Sequence, residues 1–434
     1  MNIASPSMED IAGPAVTRAW GWLKSLPEKL WAKVDEVAKD IKKLGRDDPR
    51  RIIHSLKVGL ALTLVSLFYY TRPLYDGFGE NAIWAVMTVI LVLEFSVGAT
   101  LGKGLNRMLA TLSAGALAVG VHHLATLSGE KGEPWVLGFF VFITAATVTF
   151  FRFFPTMKAR YDYGLLIFIL TFALVTVSSY REDKVIQMGH QRVTTIILGS
   201  FIAIVICICI YPVWIGEELQ NLVANNMEKL GNFLEGYGGE YFKISEHGQH
   251  VDDKSFLQGY KSALTSKNSE ETMANLARWE LWHHRFGFLH PWKQYVQVGT
   301  LTRQCAYKIE ALNSYLNSEI QTPNEFGRKI QEPCTQICSE SGKALRELAS
   351  AVKKLTQPTS VNVHIEKSKM ATENLKSMLN SRLLEDANLQ EVMQSAAVAL
   401  ILIDVVPCIM KIADAVHNLA SLANFKAAAT RVSP

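Results

Sequence analysis

Cysteine is scarce and scattered in this chain: six among 434 residues, at Cys207, Cys209, Cys305, Cys334, Cys338 and Cys408. None falls in a segment that reads as an outer loop, so reduced thiols facing cytosol or lipid are expected rather than a disulfide framework. Cys334 and Cys338 share a helix face, but no second Cys or His pair completes a zinc set. Net charge is small, +4, and no basic run is interleaved with aromatics, which argues against a nucleic-acid surface. A GxxxxGK[ST] loop is missing throughout, so the phosphate cradle of an ATP-driven pump is missing too. No nucleophile–base pair carries a recognisable local motif, and neither an enzyme nor a cofactor is expected. Met1–Pro14 lacks the apolar core of a cleaved leader, so the first membrane helix is expected to act as its own signal anchor. Alternating strand patterns are lacking after Trp214, and the fold class expected is all-α.

What is present is apolar and concentrated. Six stretches crowd the first half of the chain: Ile52–Tyr70, Asn81–Val97, Leu105–Leu127, Trp135–Phe151, Tyr161–Ser179 and Val185–Tyr211. They read as six transmembrane helices, several of them short against the ~20 residues a perpendicular crossing needs. Arg107, Arg152, Arg160 and Arg192 lie within or against them. A guanidinium in hydrocarbon costs at least ~2.5–3.5 kcal/mol and cannot shed its charge, so such residues face water, a partner or a passing anion. Residues 1–53 carry ten Lys and Arg, and the second and fourth loops add Lys103, Arg152, Lys158 and Arg160. The other loops are poorer in Lys and Arg and hold most of the acids. The positive-inside rule then places both termini in the cytosol, as an even number of crossings also requires.

The flanks read as helical. Trp20, Leu23, Leu30, Trp31, Val34, Val37, Ile41 and Leu44 recur at helical spacing, an amphipathic helix suited to a cytosolic lipid surface or to docking on the soluble part. Beyond Trp214 the expected helices are Glu217–Phe242, Lys254–Leu264, Glu270–Phe286, Trp292–Glu319, Glu325–Leu355, Val363–Ser381 and Leu389–Ala428. Ala396–Ile412 is apolar enough for a seventh crossing, but Asp404, Pro407 and Lys411 interrupt it and a buried core helix is expected. The domains expected are residues 1–51, an amphipathic N-terminal region; 52–214, the six-helix membrane domain; and 215–434, a cytosolic helical bundle. Ala110, Ala114 and Ala118 repeat every four residues, small enough for close helix contact within one subunit or between two. His283, His284 and His290 near Glu280 form no HExxH signature and are expected to pack around Trp279, Trp282 and Trp292.

Specific strings go further than composition. They include Asp48-Pro-Arg-Arg-Ile-Ile-His54, Trp84-Ala-Val-Met-Thr-Val89, Tyr161-Asp-Tyr-Gly164, Val177-Ser-Ser-Tyr-Arg181, Ala277-Arg-Trp-Glu280 and His290-Pro-Trp-Lys-Gln-Tyr295. The most specific is Glu94-Phe-Ser-Val-Gly-Ala-Thr-Leu-Gly-Lys-Gly-Leu-Asn-Arg107. Together they resemble the plant aluminium-activated malate transporters, a family of anion channels, and most of all the root-type members that release malate across the plasma membrane. The resemblance implies a homodimer around an anion pathway, with Arg107 and Arg192 at the positions of the family's pore arginines. One departure is plain: Trp279-Glu-Leu-Trp-His-His284 stands where relatives read Trp-Glu-Pro and then His-Gly.

Guanidinium forks match malate's planar carboxylates, and rings of Arg or Lys suit an anion pore. Lys57, Lys103, Arg152 and Arg160 are candidates for a cytosolic vestibule that concentrates anions, or for contacts to lipid headgroups. Trp84, Met87 and Thr88 are candidates for an apolar gate, or for core packing. Aluminium is a hard cation that takes oxygen ligands. The outer-loop acids Asp76, Glu182 and Asp183 could supply them, with Gln187 standing where relatives carry a further acid. The function expected is efflux of malate and inorganic anions through a passive channel, activated by external aluminium. A secondary transporter would show discontinuous helices with mid-span Gly or Pro, and a membrane-anchored scaffold would leave Arg192 unexplained.

Overall fold

The computed structural model describes residues 33–71, 82–179, 185–243, 255–281, 286, 290–316, 325–380 and 389–427. Among these the chain is helical nearly throughout, and the one extended pairing is an isolated bridge between Thr356 and Lys426. Seven helices come first: α1 over residues 33–47, α2 Arg50–Tyr70, α3 Ala82–Val92, α4 Val97–Thr126, α5 Gly129–Phe151, α6 Pro155–Ser179 and α7 Val185–Cys209. A second group follows: α8 Ile215–Lys243, a 3₁₀ turn Ser255–Gln258, α9 Lys261–Thr265, α10 Lys267–Ala277, α11 Trp292–Leu316, α12 Glu325–Lys354, α13 Val361–Asn380 and α14 Leu389–Leu422.

The first group has two small cores. Ala61 and Val65 of α2 meet Ala85 and Val89 of α3, Leu101 of α4 and Ala203 and Ile206 of α7. In the other, Ala114, Ala118, Val121 and Ala125 of α4 pack on Leu137 of α5 and on Phe172 and Val175 of α6. The alanine stripe is therefore spent inside one chain, where small side chains let the helix axes approach. Most of the remaining apolar surface is uncovered: Trp135, Phe139, Phe142 and Phe150 of α5 all stand exposed. Apolar exposure on this scale is incompatible with water on all sides. Four described helices are long and apolar enough to cross a bilayer: Val97–Thr126, Lys131–Phe151, Pro155–Ser178 and Met393–Leu422. Ile83–Val92 and Val193–Cys209 are shorter apolar helices.

The fourth of those long helices sits differently. Along α14, Val398, Leu402, Val405, Ile409, Ile412 and Val416 are buried against the second group's single large core, which also holds Phe233 and Tyr237 of α8, Tyr295 and Ile309 of α11, Ile337 and Leu348 of α12 and Leu375 of α13. Packing on α11, α12 and α13 gives α14 an apolar surround without lipid. Its interrupting charge is accommodated at the rim, where exposed Asp404 pairs with Lys308 at 2.9 Å.

The helix boundaries depart from the sequence expectation at several points: α5 and α6 each begin six residues early, at Gly129 and Pro155, and two larger departures meet at one place. The second apolar stretch ends at Val92, five residues early, and α4 begins at Val97 instead of Leu105. Ser96 is in extended conformation and its side chain accepts from the Ala99 N–H at 3.3 Å, an N-cap. The Thr100 hydroxyl accepts from the Glu94 N–H at 3.0 Å and closes the turn. Gly98 and Gly102 are thus the first turns of a helix. The expected helix Glu270–Phe286 likewise stops at Ala277, and Arg278–Leu281 leaves the helical path. That early stop carries Trp279 and Glu280 to the start of α4. A Cβ on Gly98 would stand 2.5 Å from the Leu276 carbonyl oxygen, and one on Gly102 would stand 2.9 Å from the Trp279 ring.

α1 shows the expected amphipathic spacing with its apolar side uncovered, since Val34, Val37, Ile41 and Leu44 are all exposed. Trp20, Leu23, Leu30 and Trp31 lie outside the described residues.

Candidate functional site

The seam between α4 and α6 gathers the candidate cations. α4 presents Lys103, Arg107 and Thr111 at four-residue spacing, hence on one face. Across from it, Gly164 of α6 comes so near that an added Cβ would lie 3.3 Å from the Cβ of Asn106. The Asn106 amide donates to the Arg160 carbonyl at 3.1 Å and fixes the register of the two helices.

In that register Arg107 is 4% exposed, and its Nη1 donates to the Tyr163 hydroxyl at 3.2 Å. Among the described residues it has no carboxylate within 4.0 Å, and its Nε has no partner. One turn further on, the buried Thr111 hydroxyl also lacks a partner, as does Ser200 on the neighbouring α7. A buried polar group left unmet costs about 1–3 kcal/mol, more when charged. The seam is therefore short of hydrogen-bond acceptors at a fixed positive charge. A carboxylate or water reaching it would gain what the protein does not supply.

The other candidates are engaged. Lys103 pairs with Glu94 and its ammonium lies 5.4 Å from the centre of the Tyr163 ring. Arg152 forks onto Asp162, Nε to Oδ1 at 2.8 Å and Nη2 to Oδ2 at 3.3 Å. Lys57 is buried and donates to the Tyr211 carbonyl at 2.9 Å. Tyr211 is left-handed, with φ of 44°, and Lys57 thus holds an end of α7 whose carbonyls no longer bond within the helix. Arg160 is exposed. Arg192 belongs to the backbone of α7, and its side chain lies outside what the structure describes. Asp76, Glu182 and Asp183 of the outer loops fall outside it as well, and Gln187 lies in the first turn of α7 with its side chain outside the described part.

Trp84, Met87 and Thr88 stand on α3. Thr88 is fully buried, donates to the Trp84 carbonyl at 2.7 Å and lies against Gly199 of α7, while Met87 is 49% exposed. Only Met87 and the half-buried Trp84 are left facing outward.

Two further features come from the structure. Tyr163 is the hydroxyl that meets Arg107, although its string Tyr161-Asp-Tyr-Gly164 is conspicuous in the sequence. Glu280, 5% exposed, accepts the Gly98 N–H at 3.2 Å, the Ile215 N–H at 2.8 Å and the Gly216 N–H at 3.0 Å. Nearby, the Val97 N–H donates to the Val213 carbonyl at 3.0 Å, and Arg50 of α2 pairs with Glu218 of α8. The two helical groups thus meet through polar contacts. His290 packs between Phe286 and Trp292, with ring centroids 4.7 and 4.6 Å away, and its Nε2 is 3.1 Å from the Tyr295 hydroxyl. His283, His284 and Trp282 lie outside the described residues.

An all-helical multi-pass membrane protein, with fixed cations buried among its apolar helices and a helical bundle attached through buried hydrogen bonds, is the class these features define. Within that class the chain belongs to the aluminium-activated malate transporter family, whose family model, "Aluminium activated malate transporter", matches residues 42–385. Aluminum-activated malate transporter 2 of Arabidopsis thaliana is 50% identical over 397 residues, which cover 91% of this chain and 79% of that protein. Aluminum-activated malate transporter 1 of Triticum aestivum is 45% identical over 413 residues, 93% of this chain and 89% of its own. The family is one of transporters and channels, not enzymes.

Proposed function

We propose that the chain is an anion-selective channel that carries malate and inorganic anions out across the plasma membrane, opened by external aluminium. α2 to α7 cross the bilayer with both termini in the cytosol, residues 215–434 form the cytosolic bundle, and two copies pair around the pathway. The observation that carries the reading is Arg107, a buried guanidinium on an apolar helix with a tyrosine hydroxyl and, among the described residues, no carboxylate beside it. In a symmetric pair, Arg107 and Arg192 would supply four positive charges, the device an anion pore uses. Lys103 and Arg160 draw anions toward the inner mouth. Lys57 and Arg152 are spent on a helix end and on Asp162, so their part is to hold the helices. Trp84 and Met87 with Thr88 behind them form the apolar constriction. Malate and aluminium enter from the printed names of the relatives, and Asp76, Glu182 and Asp183 are the oxygen ligands offered to the ion.

α4 and α6 run unbroken past the cations, and the interrupted helices that an exchanger's site requires have no counterpart there. Purified protein in liposomes with a malate gradient provides the test. Passive malate efflux, needing no anion on the other side and set by the imposed potential, is expected. Efflux that stops unless a counter-anion is supplied outside would replace the channel with an exchanger, and no efflux at all would leave an anchored scaffold.

A further inference from the structure

Three chain segments far apart in sequence converge on one carboxylate. Gly98 lies in the first turn of α4, Ile215 and Gly216 open α8, and Glu280 follows the early stop of α10. Helix N-termini leave N–H groups without intrahelical partners, and the two Glu280 oxygens take three of them, from two different helices. The fit leaves no slack. A Cβ on Gly98 would stand 3.0 Å from Glu280 Oε1, and one on Gly216 would run into the Trp292 ring. Both positions are glycine.

We infer that Glu280 is a positioning residue whose buried carboxyl seats the Arg107-bearing helix on the cytosolic bundle, and that the cytosolic proton concentration sets how firmly it is seated. This inference rests on the proposed reading of α4 as a pore helix. A shared cap at the foot of α4 fixes that helix's height and rotation, and with them the position of Arg107 nine residues up.

Burial pushes the Glu280 carboxyl up to about 7, against 4.5 for an exposed one; the three backbone N–H groups oppose that rise, and Glu217 of α8 adds to it. Other charged groups lie around it on each packed element. Arg278, Lys293 and His290 line the same ≈ 400 Å³ cavity. Cys207 of α7 feels the Glu280 charge, with Lys57 of α2 behind it. At the start of α4, Lys103 pairs with Glu94 of the preceding turn. His290 is held down to about 4 by its own burial and stays neutral in this range.

The direction follows from linkage. A seat that binds the proton more tightly than solvent does is favoured at low pH, and it weakens as pH rises through about 7 and the carboxyl becomes charged. Between pH 6 and pH 8 the ratio of seated to released joint falls about tenfold. Glu280→Gln keeps an acceptor for Gly98 and Ile215 but cannot titrate.

Two measurements test this. In excised inside-out patches, anion current through the wild type is expected to change by up to about tenfold as the cytosolic face is taken from pH 6 to pH 8, most of it below pH 7. Glu280→Gln should conduct with a flat profile. An identical pH profile in the two proteins would overturn the inference. The second measurement uses the wild type in detergent, and needs neither conduction nor the variant. Trp279 and Trp292 flank the joint, and tryptophan emission is expected to inflect near pH 7; emission level from pH 6 to pH 8 would overturn the inference whatever the channel reading's fate.

Discussion

Lys103 and Arg107 stand one turn apart on the same face of α4 and are met by different chemistry. Lys103 is balanced by Glu94, whereas Arg107 has a neutral hydroxyl from Tyr163. Under the proposed function, Arg107→Ala should reduce malate current roughly 10- to 100-fold, the worth of one charge-assisted hydrogen bond at about 1.5–3 kcal/mol. Arg107→Lys should restore part of it, because the charge returns without the fork. Lys39→Ala, which breaks an exposed pair with Asp35, should change little in the same whole-cell recordings. Tyr163→Phe should cost only a few-fold. Arg107 was legible in the sequence, since a guanidinium inside an apolar stretch stands out by itself. Tyr163, Thr111 and the engagement of Lys57 were not, because a partner on another helix depends on a register that no local pattern encodes.

The elements tell a similar story at the next scale. Periodicity and apolar runs located each helix of the membrane half, although α5 and α6 each begin six residues before the expected start, and the core role of α14 followed from its interrupting charges. The largest misses are the start of α4 and the end of α10, and both lie at the joint. Gly98 and Gly102 fall between the two apolar stretches in sequence, yet they lie in the helix that Ser96 caps, and bundle atoms press so close to them that a side chain has no room. Gly98→Val should therefore unseat α4. A loss of about 1–3 kcal/mol by overpacking is expected, read as a lower midpoint of thermal unfolding in detergent. Ala114→Leu, forced into the α4–α5–α6 core, should cost about the same, whereas Leu109→Ala, on an exposed face, should leave the midpoint nearly unchanged.

The whole molecule joins an apolar half with little buried core to a well-packed bundle, and what the apolar half leaves uncovered is its clue to the surroundings. α5 buries almost none of its aromatic surface, which a bilayer or a second copy would cover. The proposed pairing predicts that protein extracted in mild detergent has twice the 48.3 kDa of one chain once bound detergent is subtracted by light scattering; a single-chain mass would remove the four-charge ring from the account. The most direct test is the reversal potential of the current under a malate gradient, compared between wild type and Arg107→Ala. A fixed guanidinium lining the path predicts that the wild-type current reverses near the malate equilibrium potential and that the variant shifts well away from it. Equal reversal potentials in the two proteins would contradict it.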